Sequence, residues 1–495
     1  MWGTIKKLVR RGKMSQAWKT YTVVALIIGL LLGIGIGWFA KPAPPGVAIE
    51  EYEKLQSELS AVQAELTSTK EELTATQAEI ASIQAELDEA QALIEEYKDA
   101  LIGISVEAPL KSTLEGEIKI GGLFCLTGDL ASFGENEYTA AQLAAKQVNL
   151  FLKALGANWT ISIVAEDTQT KPNLALEKVE SFAARGIKLI IGPLSSAEVR
   201  AIKGYCDANK ILATSQSSTA PDLAIPDDYI FRFCPTDKHG QGPAIARIIY
   251  DDGKRYIIPV TRNDAWGTGL EEAVVSRFTE LGGTVLEGIR YAPEAQEFSA
   301  EAADLAAKVS DAIAKYGADK VAVLHISFEE VTAFFTAASE YDVLTKVKWY
   351  GCDGTAASGA IIEDPVVRDF AVKVQYPSTI FAPTESAKWD MVRRNGLKVL
   401  GREPESYSYA VYDIVWVYAL SILKADSADP DAVKAVLPDV ARSFFGASGY
   451  IELDENGDRK AGDYVIWQIV ETDTGEYTWK IVGKYIYATD SVVWY

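Results

Sequence analysis

Histidine is nearly missing from this chain, with only His239 and His325 among 495 residues. Metal centres and histidine-based triads draw on that side chain, so neither has raw material here. His325 sits in the apolar run Val321–Ile326 and reads as a core or strand-end residue. Cysteine is sparse too: Cys125, Cys206, Cys234 and Cys352 contain no C-x-x-C pair, and their pairing is left open. No glycine-rich loop ending in Lys-Ser/Thr and no G-x-S-x-G elbow occurs. Basic charge is outweighed, Lys+Arg 48 against Asp+Glu 69, for a formal net charge of −21. That balance argues against nucleic acid and against adsorption to an anionic membrane face. These absences point away from an enzyme, a cofactor or a metal site.

What is present begins with a basic tail, residues 1–20, carrying Lys6, Lys7, Arg10, Arg11, Lys13 and Lys19 and no acid. Residues 21–40 then run apolar without a charge, and about twenty such residues span a hydrocarbon core. The basic flank stays cytoplasmic, which places the rest of the chain outside or in a periplasm. A cleaved signal peptide is the competing reading, but no A-x-A site follows. Gly29, Gly33 and Gly37 share one helix face and permit close helix contact in lipid. After a Pro-rich linker, 41–49, comes a heptad pattern over 50–102: Leu55, Leu59, Val62, Leu66, Thr69, Leu73, Thr76, Ile80, Ile83, Leu87, Ala90, Ile94, Tyr97 and Leu101. Spacings alternating between four and three residues predict a coiled-coil stalk, roughly 70 Å long, that self-associates.

Past a second linker, 103–116, strands alternate with helices, as parallel α/β units require. Expected strands include Ile118–Leu126, Trp159–Ala165, Ile187–Ile191, Tyr256–Thr261, Thr284–Tyr291, Lys320–Ser327 and Lys346–Cys352. Expected helices include 135–155, 173–185, 268–281, 301–316 and 328–341. Two successive series imply two lobes, and a cleft between lobes favours a ligand. The run Ile190-Ile191-Gly192-Pro193-Leu194-Ser195-Ser196 reads as a buried strand turning into a helix, and Ile211 to Pro221 repeats the arrangement. Such tips, with Ser and Thr beside free N–H groups, suit a small anion, typically a carboxylate. Ordinary helix N-capping is the alternative. Asp454-Glu455-Asn456-Gly457-Asp458 lacks full calcium-loop spacing and reads as a hairpin turn.

From about Gly116 onward the chain resembles the type I periplasmic-binding fold, in particular the branched-chain amino-acid binding proteins of ABC transporters. The resemblance rests on Ile120-Gly121-Gly122-Leu123, Leu126-Thr127-Gly128, Phe133-Gly134-Glu135-Asn136, Gly192-Pro193-Leu194-Ser195-Ser196, Pro235-Thr236-Asp237, Trp266-Gly267-Thr268-Gly269, Tyr350-Gly351-Cys352-Asp353-Gly354 and Gly449-Tyr450-Ile451-Glu452-Leu453-Asp454. It implies three crossings between lobes, with lobe 1 from 117–237 and 379–440 and lobe 2 from 238–378 and 441–495. It implies that Ser196, Ser217 and Thr219 hold a ligand carboxylate and that Asp353 meets its ammonium, where the family usually has glutamate. Phe133, Trp266 and Phe328 fall on cleft positions where tyrosines are common, which implies a more apolar pocket.

The expected function is therefore a membrane-tethered receptor that delivers a small, apolar amino acid to an ABC permease and its ATPases. Alternatives on the same scaffold are an amide, urea or small-carboxylate receptor, a sensory ectodomain, or a surface protein with a vestigial cleft. Asp353 also has a plain reading as a turn residue before Gly354.

Overall fold

The computed structural model describes residues 112–495, apart from 461 and 474, and scattered positions between 57 and 84. Those scattered positions are helical and belong to a unit, residues 1–107, distinct from the unit spanning 108–495. The expected tail 1–20, apolar run 21–40 and linker 41–49 lie outside the described residues, as does much of the stalk. Among the described residues no helix is long and apolar enough to cross a membrane.

In the larger unit the incoming chain is pinned by Asp426, whose Oδ1 accepts from Ser112 Oγ and Thr113 N–H, each at 2.8 Å. Lobe 1 follows as β1 (Glu115–Phe124), α1 (Ala131–Ala154), β2 (Asn158–Asp167), α2 (Pro172–Ala184), β3 (Leu189–Ile191), α3 (Ser196–Asn209), β4 (Leu212–Ser215) and β5 (Ile230–Arg232). The strands are all parallel, in the order β2-β1-β3-β4-β5. β3 and β4 are buried along their whole length, which is why they read as continuous apolar runs rather than alternating ones. The chain steps to opposite sides of β1 to build β2 and β3. That reversal opens a crevice at the carboxyl ends of β1 and β3.

Lobe 2 begins with α4 (Gln241–Asp251), β6 (Tyr256–Arg262), α5 (Ala265–Glu280), β7 (Thr284–Val285), β8 (Ile289–Tyr291), α6 (Ser299–Tyr316), β9 (Val321–Ile326), α7 (Val331–Ala338), β10 (Lys348–Tyr350), α8 (Gly359–Glu363) and α9 (Pro365–Lys373). Its parallel sheet runs β10-β9-β6-β7, with β8 also pairing with β6. The expected single strand Thr284–Tyr291 is thus two short pieces. The expected helix from Phe328 starts only at Val331, because Phe328 turns into the cleft.

β11 (Ser378–Phe381) does not return to lobe 1 as expected. It pairs antiparallel with β12 (Tyr464–Glu471), which continues to β13 (Tyr477–Ile486) and β14 (Ser491–Trp494). This antiparallel sheet, packed in the lobe 2 core, was not among the expected parallel elements. The return comes with α10 (Ala387–Leu400), α11 (Ser406–Ala425) and α12 (Pro430–Ser443), whose buried side chains share a core with β1 and α1. Ala447 and Ile451 remain in that core, so the last crossing falls after 451 rather than at 441. α11 is apolar on nearly every face and almost wholly buried, as expected for a helix clamped between α1 and α12.

Candidate functional site

The site grows from the crevice at the β1/β3 switch point. Gly192 ends β3 with φ of 90°, and a Cβ there would lie 2.5 Å from Leu123 O, so only glycine lets the two strand ends approach. Ser195 then caps α3: its Oγ and N–H donate to Glu198 Oε2 at 2.6 and 3.0 Å, and Glu198 N–H donates back at 3.3 Å. This capping box leaves Ser196 and Ala197, at the first two helical positions, without intrahelical acceptors for their N–H groups. Ser196 Oγ accepts from Ser218 Oγ at 3.1 Å and from Ala220 N–H at 3.2 Å, which leaves its own proton to donate. The helix N-terminus adds partial positive charge to this wall.

The opposite wall centres on Asp353 of lobe 2, with Tyr407 of lobe 1 reaching across to it. Asp353 follows β10 and is 3 % exposed. Its Oδ1 accepts from Gly354 N–H at 3.0 Å and its Oδ2 from Tyr407 Oη at 2.7 Å, while its N–H donates to Gln241 Oε1 at 3.3 Å. Burial pushes its carboxyl up to about 6, against the lowering pull of Tyr407 and Gln241. Asp237, also buried, is raised well above the ordinary range by burial and by the nearby Asp353. Tyr407 sits on the first turn of α11, whose cap, Glu405, accepts from Tyr407 N–H at 2.5 Å and Ser408 N–H at 3.1 Å.

Six of the seven expected site residues line one cavity: Phe133, Ser196, Ser217, Trp266, Phe328 and Asp353. Thr219 is not among its lining residues. Its hydroxyl donates to Asp237 Oδ2 at 2.8 Å, which turns it from ligand donor to support for a buried acid. Ser217 lines the cavity, but its hydroxyl proton goes to Leu194 O at 2.8 Å. Of the three hydroxyls, then, only that of Ser196 keeps its proton for a ligand. Leu130, Leu194, Ser195, Gly354 and Tyr407 complete the lining; Leu194 and Ser195 belong to the expected anion-binding tip, whereas Leu130 and Tyr407 were not foreseen. The lining holds one carboxylate and no Lys or Arg. Its volume is ≈ 20 Å³, room for about one water-sized group, so a solute enters by the lobes parting.

The apolar wall is a stack. Trp266 and Phe328 lie with ring centroids 4.3 Å apart and planes 22° apart, and the Arg262 guanidinium sits 4.7 Å from the Phe328 centroid. Gly354 makes room for them, since a Cβ there would meet Phe328 Cδ1 at 2.7 Å and Trp266 Cη2 at 3.1 Å. Arg262 is held by Asp264 at 2.8 Å, Glu330 at 3.0 Å and Asp129 at 3.1 Å. Asp129 belongs to the loop after β1, so this last pair joins the lobes. Beside it, Glu329 N–H donates to Asp129 O at 2.9 Å, and Ser132 Oγ donates to Glu329 Oε1 at 2.5 Å.

Other expectations resolve around the site. All four cysteines are free and buried. His325 is fully buried, its imidazole lowered to about 3 by burial and therefore neutral, with Nδ1 3.5 Å from Tyr376 Oη. Asp454 Oδ1 accepts from Asn456 and Asp458 N–H at 2.8 and 3.0 Å, which makes the acidic run a turn.

Two parallel α/β lobes closed on a small cavity, with donors on one wall and a carboxylate on the other, define a two-lobed ligand-binding protein. Over residues 136–472 the chain matches the family described as the receptor family ligand binding region, and it belongs to that family. It is 33% identical over 398 residues to an uncharacterized protein of Methanocaldococcus jannaschii, covering 77% of this chain and 92% of the relative. It is 26% identical over 372 residues to the Leu/Ile/Val-binding protein homolog 1 of Brucella melitensis, covering 73% of this chain and 93% of that protein. Among solved structures, a leucine-binding protein from Thermotoga maritima superposes with a TM-score of 0.61 at 21% identity, covering 76% of this chain and 98% of the other.

Proposed function

We propose that this protein captures a small zwitterion, an amino acid with an apolar side chain, and delivers it to an ABC permease and its ATPases. The observation that carries the reading is the opposition of Ser196 and the α3 N-terminus to Asp353 across one cavity. A carboxylate finds charge-assisted donors on lobe 1 and an ammonium finds its counter-charge on lobe 2. A ligand bridging both walls favours the closed arrangement by population shift. The Leu/Ile/Val-binding relatives support the same class of solute. Residues 21–40 anchor the chain with its N-terminus cytoplasmic, and the heptad segment lifts the lobes outward and self-associates.

A neutral amide, urea or a lone small carboxylate is the second reading, since below about pH 6 the buried Asp353 carboxyl holds a proton that it can donate to a carbonyl or carboxylate oxygen. A thermal-shift screen of amino acids, amides, urea and short carboxylates separates the two. The first reading expects stabilisation by free amino acids and none by their N-acetyl derivatives. Stabilisation by compounds lacking an amine would replace it with the second. Carbonate-resistant membrane fractionation tests the anchor, and a soluble mature chain starting near Pro42 would refute it.

A further inference from the structure

The stalk carries more information than its heptad period. In register, Leu59, Leu66, Leu73, Ile80, Leu87, Ile94 and Leu101 fall at a, and Leu55, Val62, Thr69, Thr76, Ile83, Ala90 and Tyr97 fall at d. This reverses the two-stranded preference, which puts β-branched residues at a and leucine at d. Leucine fills five of the seven a layers and one of the seven d layers, and leucine at a with isoleucine at d favours three or four strands, because side-chain packing angles at the two layers exchange with strand number. The described part of this segment is helical, and four of its apolar seam residues face solvent: Val62 is 59 %, Leu73 44 %, Ile80 60 % and Ile83 56 % exposed.

Charge fixes the direction. Glu58, Glu65, Glu72 and Glu79 occupy g in four consecutive heptads, and Gln63, Lys70, Gln77 and Gln84 occupy e. In a parallel bundle each g residue meets the e residue five positions on in its neighbour, so every Glu faces Gln or Lys. An antiparallel pairing would bring g against g and set glutamates opposite one another, a like-charge arrangement that is destabilising.

We infer that the stalk forms a parallel, in-register bundle of three or four copies of this chain, not two. The inference rests on the self-associating stalk proposed above and adds its copy number and direction. Each assembly then holds several binding heads at one membrane position, so that a permease working with one head finds others at high effective concentration.

The test uses the full chain in detergent, its mass measured by light scattering with the detergent contribution removed. Three or four copies are expected. Two copies would overturn the inference while leaving self-association standing, and a monomer would overturn self-association itself. Exchanging the layers, with Leu66→Ile and Leu73→Ile at a and Val62→Leu, Thr69→Leu, Thr76→Leu and Ile83→Leu at d, should lower the assembly to two copies. Its thermal response to amino acids, read as a check on the heads, should be unchanged. An unaltered copy number in that variant would show that the seam does not set it. Thr69→Cys should cross-link between copies under mild oxidant, and failure to do so would refute the in-register parallel arrangement.

Discussion

Replacing Asp353 with asparagine should move ligand affinity and stability in opposite directions. The carboxylate is buried in a cavity whose lining holds no cation, and burial raises it to about 6. An acid whose folded value lies above its unfolded one binds protons more tightly when folded. Stability is therefore greatest below the unfolded value, falls as pH rises toward about 6, and is level above that. The rise of about two units corresponds to roughly 3 kcal/mol lost at neutral pH, an upper figure because Asp237 shares the site. Asparagine keeps the shape and an acceptor for Tyr407 while removing the charge. Without amino acid, Asp353→Asn should melt higher than wild type at pH 7.5, and the gain should shrink to nothing near pH 4. Affinity should fall instead, since a ligand ammonium would be buried without a counter-charge. Truncating one member of such a pair costs about 2–5 kcal/mol, roughly 30- to 5000-fold. Differential scanning calorimetry gives the first quantity and titration calorimetry the second. An Asp353→Asn protein that binds the amino acid as tightly as wild type would refute the ammonium site, whatever its melting temperature.

Affinity of the wild-type protein for an amino acid should drop by up to about tenfold per pH unit below about 6, as the carboxyl takes up the proton the ammonium must displace, and titration calorimetry between pH 7.5 and 5 checks it. Ser196→Ala should weaken binding by about 1.5–3 kcal/mol, the range for a hydrogen bond to a charged group. Thr219→Ala should leave affinity nearly unchanged and lower the melting temperature, because its hydroxyl serves Asp237; equal affinity losses in the two variants would contradict that division. Asp129→Asn, at a partly exposed ion pair between lobes, should speed both association and dissociation while changing affinity by about 1 kcal/mol or less, seen by stopped-flow tryptophan fluorescence. Phe328→Ala should broaden the range of side chains accepted rather than abolish binding, as a panel of amino acids in the same titration would show.

Much of the fold was legible because parallel strands announce themselves. Leu189–Ile191 is a short apolar run ended by Gly-Pro, and its turn into α3 was readable from Ser195 and Ser196. The lobe boundaries were harder. β11 is four residues long, and its partner, β12, lies beyond three helices, so no local pattern ties Ser378–Phe381 to lobe 2. For the site, residue types were readable but hydrogen-bond direction was not. Ser217 and Thr219 have the right chemistry in the right loop, yet their protons go to Leu194 and Asp237. Tyr407 was missed because its hydroxyl reaches across to a residue far away in sequence. The only local signal was a carboxylate cap, Glu405, opening a long apolar helix. Arg262 left a fainter trace, a cation ending an otherwise apolar strand.

The pairing of Asp129 with Arg262, together with the Ser132–Glu329 contact, bears on how the receptor spends its time. Neither contact passes through a solute, so both favour closure on their own account. Every 1.4 kcal/mol they supply raises the ratio of shut to open unloaded protein about tenfold. Capture is then gated: solute reaches the walls only during openings, and the observed association rate is the encounter rate scaled by the open fraction. Release is slowed by the same contacts, so retention improves at the expense of turnover. Outline alone then poorly distinguishes a loaded head from an idle one. Small-angle scattering in the absence of solute reads this directly, with Asp129→Asn expected to enlarge the mean dimension more than amino acid shrinks it.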